Sequence, residues 1–256
     1  MNSMIDIHAH VLPGVDDGAS TLEVSVAMLK MALNNGVSTL IATPHINAKD
    51  IFYNHYEKDL NKSFFSLSQI IDNLRLPITL LPGMEVFGSE EIPELLSEGK
   101  LTTLNHSRYL LMEFDFSEEA ELIEYLLVHI VQQGYCPIIA HPERYPYVQR
   151  YPELVFRWIK LGGVLQVNKG SFLGSFGIGA RDMADYLLEH RLASFIASDA
   201  HGTVRRTTQL SQVYHLIKSG ISAEYADMLF VHNPDRVVRD QELIDTDKTS
   251  LLRGMR

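Results

Sequence analysis

Six short apolar runs in this chain each end on an imidazole or a carboxylate: His8-Ala9-His10, Thr43-Pro44-His45, Gly83-Met84-Glu85, Leu111-Met112-Glu113, Ala140-His141 and Ser198-Asp199-Ala200-His201. Histidine nitrogens and carboxylate oxygens are the donors that divalent transition metals take. His8 and His10 are one residue apart at the end of a strand-like run. Period-two geometry puts both rings on one side, so they can chelate one ion. Asp199 and His201 repeat the spacing at the end of the last run. Glu85 and Glu113 follow runs that should be buried, where an unpaired carboxylate is costly. Metal ligation removes that cost, and a carboxylate shared by two cations holds them ~3.5–4 Å apart in two-metal hydrolysis. The pattern is that of a polynuclear metallohydrolase.

Other polar residues cluster near the same run ends. Asp16-Asp17-Gly18 reads as a turn, and one of its carboxylates can also reach a metal; residue counting does not choose between them, and Asp17 is the expectation. Arg144, in His141-Pro142-Glu143-Arg144, and Arg206, just after the last pair, are candidate phosphate clamps, because a guanidinium offers a planar two-pronged donor. Each reads as readily as a solvated loop arginine. Asn168-Lys169-Gly170-Ser171 closes the run that lacks a metal-type donor, as pocket lining or as a turn. His55, His106, His129, His190, His215 and His232 fall in helices or loops and suit surface or packing roles, with only His55 near the presumed mouth. Cys136 is the sole cysteine, so there is no internal disulfide and no thiolate-rich metal site. Pro142 stands where a Cys-x5-Arg phosphatase loop would need its arginine.

The elements that must carry these residues alternate. Strand-like runs occur at Met4–His8, Val37–Thr43, Ile78–Leu81, Tyr109–Glu113, Cys136–Ala140, Val164–Val167 and Ser194–Ala197. Helical patterns lie between them: Leu22, Val26, Leu29 and Leu33 after a Ser20–Glu23 capping box and before Gly36, a second around Leu122–Val131, a third around Met183–Leu188, and a fourth around Leu210–Ile217. Such alternation means βα units and a parallel sheet. Seven units fit a distorted (β/α)7 TIM-like barrel with the metal site at the C-terminal ends of its strands; an open doubly wound sheet is the alternative. Closure makes the first and last strands neighbours, which brings His8 and His10 to Asp199 and His201. A single domain over 1–256 is expected, with a loop over 47–61 containing Tyr53, His55 and Tyr56, and a polar tail over 240–256.

Composition narrows the function further. The 256 residues are 46% hydrophobic and carry a formal charge of -10. A surface of that sign does not attract nucleic acid, so an anionic substrate must be drawn by metals and a few arginines. No apolar run approaches the ~20 residues that span a membrane, and the first residues lack a signal-peptide pattern. A reduced, cytoplasmic protein is the expectation.

Taken together, Met4-Ile5-Asp6-Ile7-His8-Ala9-His10, Val15-Asp16-Asp17-Gly18, Ala42-Thr43-Pro44-His45, Leu81-Pro82-Gly83-Met84-Glu85, Ile139-Ala140-His141-Pro142-Glu143-Arg144 and Ala197-Ser198-Asp199-Ala200-His201 resemble the PHP (polymerase and histidinol phosphatase) superfamily. Within it they look like the manganese-dependent bacterial tyrosine phosphatases linked to capsule and exopolysaccharide synthesis, in order from Met4 to about Arg239. The resemblance implies three divalent ions, Mn²⁺ with Fe or Zn as other occupants. One would take His8, His10, Glu85 and Asp199; the second Glu85, Glu113 and His141; the third Asp17, His45 and His201. It places Arg144 and Arg206 at phosphate-binding positions. On such a site the expected mechanism is direct attack by a metal-bridging hydroxide, with His201 or a metal-bound water as the source of any proton the leaving group needs. The implied substrate is the phosphotyrosine-bearing tail of a bacterial tyrosine kinase.

Two other readings remain in view at this level. A small phosphate ester such as histidinol phosphate would use the same metals, whereas amidohydrolase barrels usually carry a lysine where this chain has Glu113. A binding module without catalysis sits poorly with a full set of ligands.

Overall fold

The computed structural model describes residues 3–46, 59–118 and 120–244, so most of the predicted 47–61 loop, with His55, and the tail beyond 244 lie outside the described residues. Each predicted strand forms, and two of them are followed, after a break, by a short second strand beyond the predicted bounds. The strands are β1 (Met4–Ala9), β2 (Val37–Ala42), β3 (His45–Ile46), β4 (Thr79–Pro82), β5 (Glu85–Phe87), β6 (Tyr109–Glu113), β7 (Cys136–Ala140), β8 (Val164–Asn168) and β9 (Ala193–Ala197). The breaks fall at Thr43-Pro44 and Gly83-Met84. Pro44 has no N–H to give to a ladder. Gly83 packs so closely that a Cβ there would lie 2.8 Å from Ile41 Cγ2 and 2.9 Å from Leu104 Cδ2.

All strand pairs are parallel, but they form two sheets: β1-β2-β4, and β3-β5-β6-β7-β8-β9. The expected seven-stranded ring is therefore corrected, because the two breaks divide the ladder. The first and last strands still meet. Ala9 bridges Ala200, His10 N–H donates to the Ala200 carbonyl at 2.8 Å, and Asp199 N–H donates to the His8 carbonyl at 2.9 Å.

The strands are apolar on both faces, as parallel strands covered by helices must be. Along β6, Tyr109 and Leu111 join a buried cluster with Ile5, Ile7, Ile138 and Phe195, whereas Leu110 and Met112 join a larger one with helical residues such as Leu29, Leu126 and Leu187. In β1 this alternation changes phase. Ile5 and Ile7 belong to the first cluster and Ala9 to the second, across an irregular register between Asp6 and Ala9. The irregularity turns His8 and His10 to the side opposite Ala9.

The helices Leu22–Asn34, Ala120–Gln132, Ile178–Glu189 and Ser211–Gly220 form where the periodicity places them, along with Asp59–Leu74 and Glu153–Lys160. The first is capped by Thr21, whose side-chain oxygen accepts from Val24 N–H at 3.4 Å, and not by a Ser20–Glu23 box. Thr21 is the extended residue, so Glu23 stands at the second helical position and hydrogen-bonds the Thr21 side chain instead of closing a box with Ser20. Among the described residues no helix is long and apolar enough to cross a membrane.

Candidate metal centre

At the C-terminal end of β1 the rings of His8 and His10 are held from behind. His8 Nδ1 pairs with Gln166 Oε1 at 2.9 Å, and His10 Nδ1 with Asp16 Oδ2 at 2.8 Å. Each Nδ1 is thus the protonated nitrogen, and the two Nε2 lone pairs face each other across 3.2 Å. Gly18 makes the Asp16 contact possible: a Cβ there would lie 2.3 Å from the His10 carbonyl oxygen. Its N–H donates to Asp16 Oδ1 at 3.0 Å, while Asp16 Oδ2 also accepts from His45 N–H at 3.1 Å. An acceptor-only carboxylate suits three converging donors.

Glu85, fully buried at the start of β5, sits where these rings point. Its Oε2 lies 3.1 Å from His8 Nε2, 3.1 Å from His10 Nε2 and 3.2 Å from His45 Nδ1, while Oε1 lies 3.1 Å from His141 Nε2. Glu113, at the end of β6, reaches His45 Nδ1 at 2.7 Å and His141 Nε2 at 4.0 Å. Burial opposes protonation of His8, but the Glu85 and Asp199 carboxylates outweigh it and lift the ring to about 9. Burial likewise opposes protonation of His45, and Glu85 and Glu113 raise it to about 10. Burial works against ionisation of Glu85, yet His8 and His45 hold its carboxyl well below the usual range. The site therefore calls for positive charge among its nitrogens, which a divalent cation supplies without protonating them.

Asp199 closes the cluster from the chain beyond β9. Its Oδ1 lies 3.5 Å from His8 Nε2 and 3.6 Å from His10 Nε2. Asn168 donates from its side-chain amide to Oδ2, Arg144 Nη1 donates to Oδ2 at 3.3 Å, and Arg206 Nη2 donates to Oδ1. His201 turns Nδ1 to the Asp199 carbonyl at 3.1 Å and Nε2 to Asp17 Oδ1 at 3.2 Å, with His45 Nε2 3.5 Å from the same oxygen. Three residues of this region, His141, Asp199 and Arg206, have φ of +36°, +47° and +47°. Left-handed backbone in residues other than glycine costs of order 1 kcal/mol or more each, and such strain collects at functional sites.

The structure brings all the sequence-predicted donors together. Three groups have ligand atoms within 4.8 Å of one another: His8, His10, Glu85 and Asp199; His10, Asp17, His45 and His201; and His45, Glu85 and Glu113. His141 adjoins the last through Glu85. The donor set fits divalent ions: imidazole nitrogens and carboxylate oxygens converge, and Glu85 Oε2 is buried without a hydrogen-bond donor. Arg144 and Arg206 flank the group, both partly exposed, and Arg144 also stacks on Phe176 with its guanidinium 4.3 Å from the ring centroid.

Gln166 and Glu143 were not singled out from the sequence, and Asn168 and Lys169 were read there only as pocket lining or a turn. Gln166 and Asn168 are spaced like His8 and His10 on β8, a signal present in the sequence but masked because neither is a metal-type donor. Glu143 is fully buried; its Oε1 accepts from Asn168 N–H at 2.9 Å and Ser171 Oγ at 2.7 Å. Lys169 is buried, and its ammonium donates to Thr207 O, to Thr207 Oγ1 at 3.1 Å and to Gln209 O at 2.8 Å. It thereby pins the loop that carries Arg206.

The chain matches the family model described as capsular polysaccharide synthesis, CpsB/CapC, over residues 4–239. It is 32% identical over 240 residues to the tyrosine-protein phosphatase YwqE of Bacillus subtilis strain 168, covering 94% of this chain and 93% of that protein. To the tyrosine-protein phosphatase CpsB of Streptococcus pneumoniae it is 32% identical over 243 residues, covering 93% and 99%. A solved structure, described among crystal structures of YwqE and CpsB as unique metal-dependent tyrosine phosphatases, aligns with a TM-score of 0.88 at 32% identity, covering 94% of this chain and 96% of that one.

Proposed function

The chain belongs to the CpsB/CapC family of capsular polysaccharide synthesis, and on that premise we propose that it is a metal-dependent protein-tyrosine phosphatase. The observation that carries this most directly is Glu85 Oε2 within 3.2 Å of nitrogens from His8, His10 and His45, beside a carboxylate shared by two arginines. Metals and guanidinium groups together are what a phosphate monoester needs.

We assign His8, His10, Glu85 and Asp199 to one ion, Glu85, Glu113 and His141 to a second, and Asp17, His45 and His201 to a third, with His10 in reach of the third. When bound, divalent ions polarise the phosphoryl oxygens and lower the pKa of a water to ~7. Arg144 and Arg206 bind the equatorial oxygens, where charge spreads in phosphoryl transfer. Asn168, through Asp199 Oδ2, keeps that carboxylate turned toward His8 and His10. His201 donates a hydrogen bond from Nδ1–H to the Asp199 carbonyl, so its Nε2 is a ligand nitrogen and carries no proton for the leaving group. A departing tyrosinate, with a parent pKa of ~10, needs less protonation than an alkoxide.

Manganese is the proposed ion, and the tail of a tyrosine kinase in the cytoplasm the proposed substrate; family membership in capsule synthesis supports a tyrosine-phosphorylated target. Parallel kinetics on a phosphotyrosyl peptide, a phosphoseryl peptide and histidinol phosphate test the assignment. Higher kcat/KM on the phosphotyrosyl peptide is expected, and equal or better turnover of either other substrate refutes it.

A further inference from the structure

Beside the metal centre lies a cavity of about 620 Å³ lined by Asn168, Lys169, Phe176, Arg205 and Arg206, with Leu173 and Val204 at its edge. It is continuous with the phosphate-binding region at two points. Arg206 both lines it and donates to Asp199, and Phe176 both lines it and carries the stacked Arg144. Three of its lining residues are cationic and none is acidic, in a chain whose formal charge is -10. Lys169 and Arg206 are engaged by Thr207, Gln209 and Asp199. Arg205 is exposed and has no ion pair among the described residues. Val204, next to it, is 89% exposed, and Leu173 is also exposed.

A phosphotyrosine side chain is long and rigid. When its phosphate reaches Arg206, the backbone that bears it stays outside the rim, and the residues on either side of the tyrosine meet the rim rather than the metals. We propose that this cavity is a subsite for an acidic side chain flanking the phosphotyrosine in a polypeptide substrate, with Arg205 as its specificity-determining residue. Leu173 and Val204 cover the apolar stem of that side chain, and Arg205 pairs with its carboxylate. Arg205, Leu173 and Val204 set which phosphotyrosines are chosen and play no part in bond cleavage. The inference rests on the phosphatase assignment.

The test measures kcat/KM of the Mn²⁺-loaded enzyme on three phosphotyrosyl peptides differing only in having Glu, Ala or Lys on both sides of the tyrosine, and on free phosphotyrosine. Wild type, Arg205→Ala and Arg205→Glu are compared at low and high salt. Because exposed ion pairs are weak and screened, the expected wild-type preference for Glu over Lys flanks is about fivefold at low salt and smaller at high salt. Arg205→Ala abolishes it, Arg205→Glu inverts it, and free phosphotyrosine turns over alike in all three proteins. Equal wild-type rates on the three peptides overturn the inference while leaving the phosphatase assignment intact. So does an Arg205→Glu loss that is as large on free phosphotyrosine as on peptides. If wild type releases no phosphate from any of the four compounds, the phosphatase assignment itself is overturned.

Discussion

Replacing Asp16 by Asn separates the role of orienting a ligand from that of being one. Asp16 Oδ2 accepts from His10 Nδ1 at 2.8 Å and His45 N–H at 3.1 Å, and Oδ1 accepts from Gly18 N–H at 3.0 Å. An amide must place its NH₂ against at least one of these donors: either His10 Nδ1 loses its acceptor, or Gly18 N–H does and the turn that aims Asp16 at His10 is pushed out of place. Loss of such an outer partner typically weakens metal binding 10–100-fold, which is ~1.4–2.8 kcal/mol. His10 belongs to two of the three donor groups, so two ions should weaken together. Asp17 is half-exposed and belongs to one group only, so Asp17→Asn should weaken a single ion. The assay is titration of EDTA-stripped protein with Mn²⁺ against a competing chelator at fixed pH, with the number of ions counted at each step. Asp16→Asn protein that titrates like wild type, or Asp17→Asn protein that weakens as many ions as Asp16→Asn, would show the reasoning to be wrong.

Lys169→Met should leave Thr207 O and Gln209 O without their donor, at a cost of about 1–3 kcal/mol for unsatisfied buried acceptors, and should raise KM by freeing the Arg206 loop. A double-mutant cycle with Arg206→Ala should then be non-additive, and additive losses would contradict the coupling. Arg206→Lys keeps the charge but loses the two-pronged donor, so KM for a phosphotyrosyl peptide should rise about tenfold or more; an unchanged KM rules out a phosphate role. In EDTA-stripped protein, His8 and His45 at about 9 and about 10 lie above their ordinary 6.5. The stability they contribute is full below pH 6.5 and is lost as pH rises through 9 and 10. Burial lowers Lys169 to about 8, which works the other way, but as one group against two. The thermal midpoint in EDTA should therefore fall from pH 6.5 to 9, and saturating Mn²⁺ should reverse the trend because metal takes the neutral rings. A midpoint in EDTA that rises across this range contradicts the electrostatics described above.

Apart from Asp17, which sits in a turn and could not be told from Asp16 by counting, the donors were legible because each closes an apolar run, and a buried carboxylate or paired imidazole has few uses other than ligation. The meeting of β1 with the chain beyond β9 followed from parallel strands that close on themselves, and it is seen in the Ala9–Ala200 bridge. The ring of seven strands was not obtained. The runs were expected to end at Thr43 and Leu81, and the short strands His45–Ile46 and Glu85–Phe87 resume beyond Pro44 and Gly83 with too few residues to show a period, where hydrophobicity does not register a missing N–H or a glycine packed against Ile41. The irregular register in β1 is equally silent, since His8 and His10 keep their spacing whichever side they face. Left-handed backbone at His141, Asp199 and Arg206 carries little sequence signal, because Asp and His adopt it more often than most residues but still in only a small minority of positions, and Arg less often. Gln166, Asn168 and Lys169 act through hydrogen bonds to ligands and loops, which only the packed structure brings into reach.

Elemental analysis and phosphate release from a phosphotyrosyl peptide, measured on the same samples as Mn²⁺ is added back to stripped protein, test the central claim most directly. The proposed assignment of donors to three ions predicts no turnover without metal and a rate that rises to its plateau as bound ions approach three per chain. Full turnover by metal-free protein, or a plateau reached with one ion bound, would contradict it.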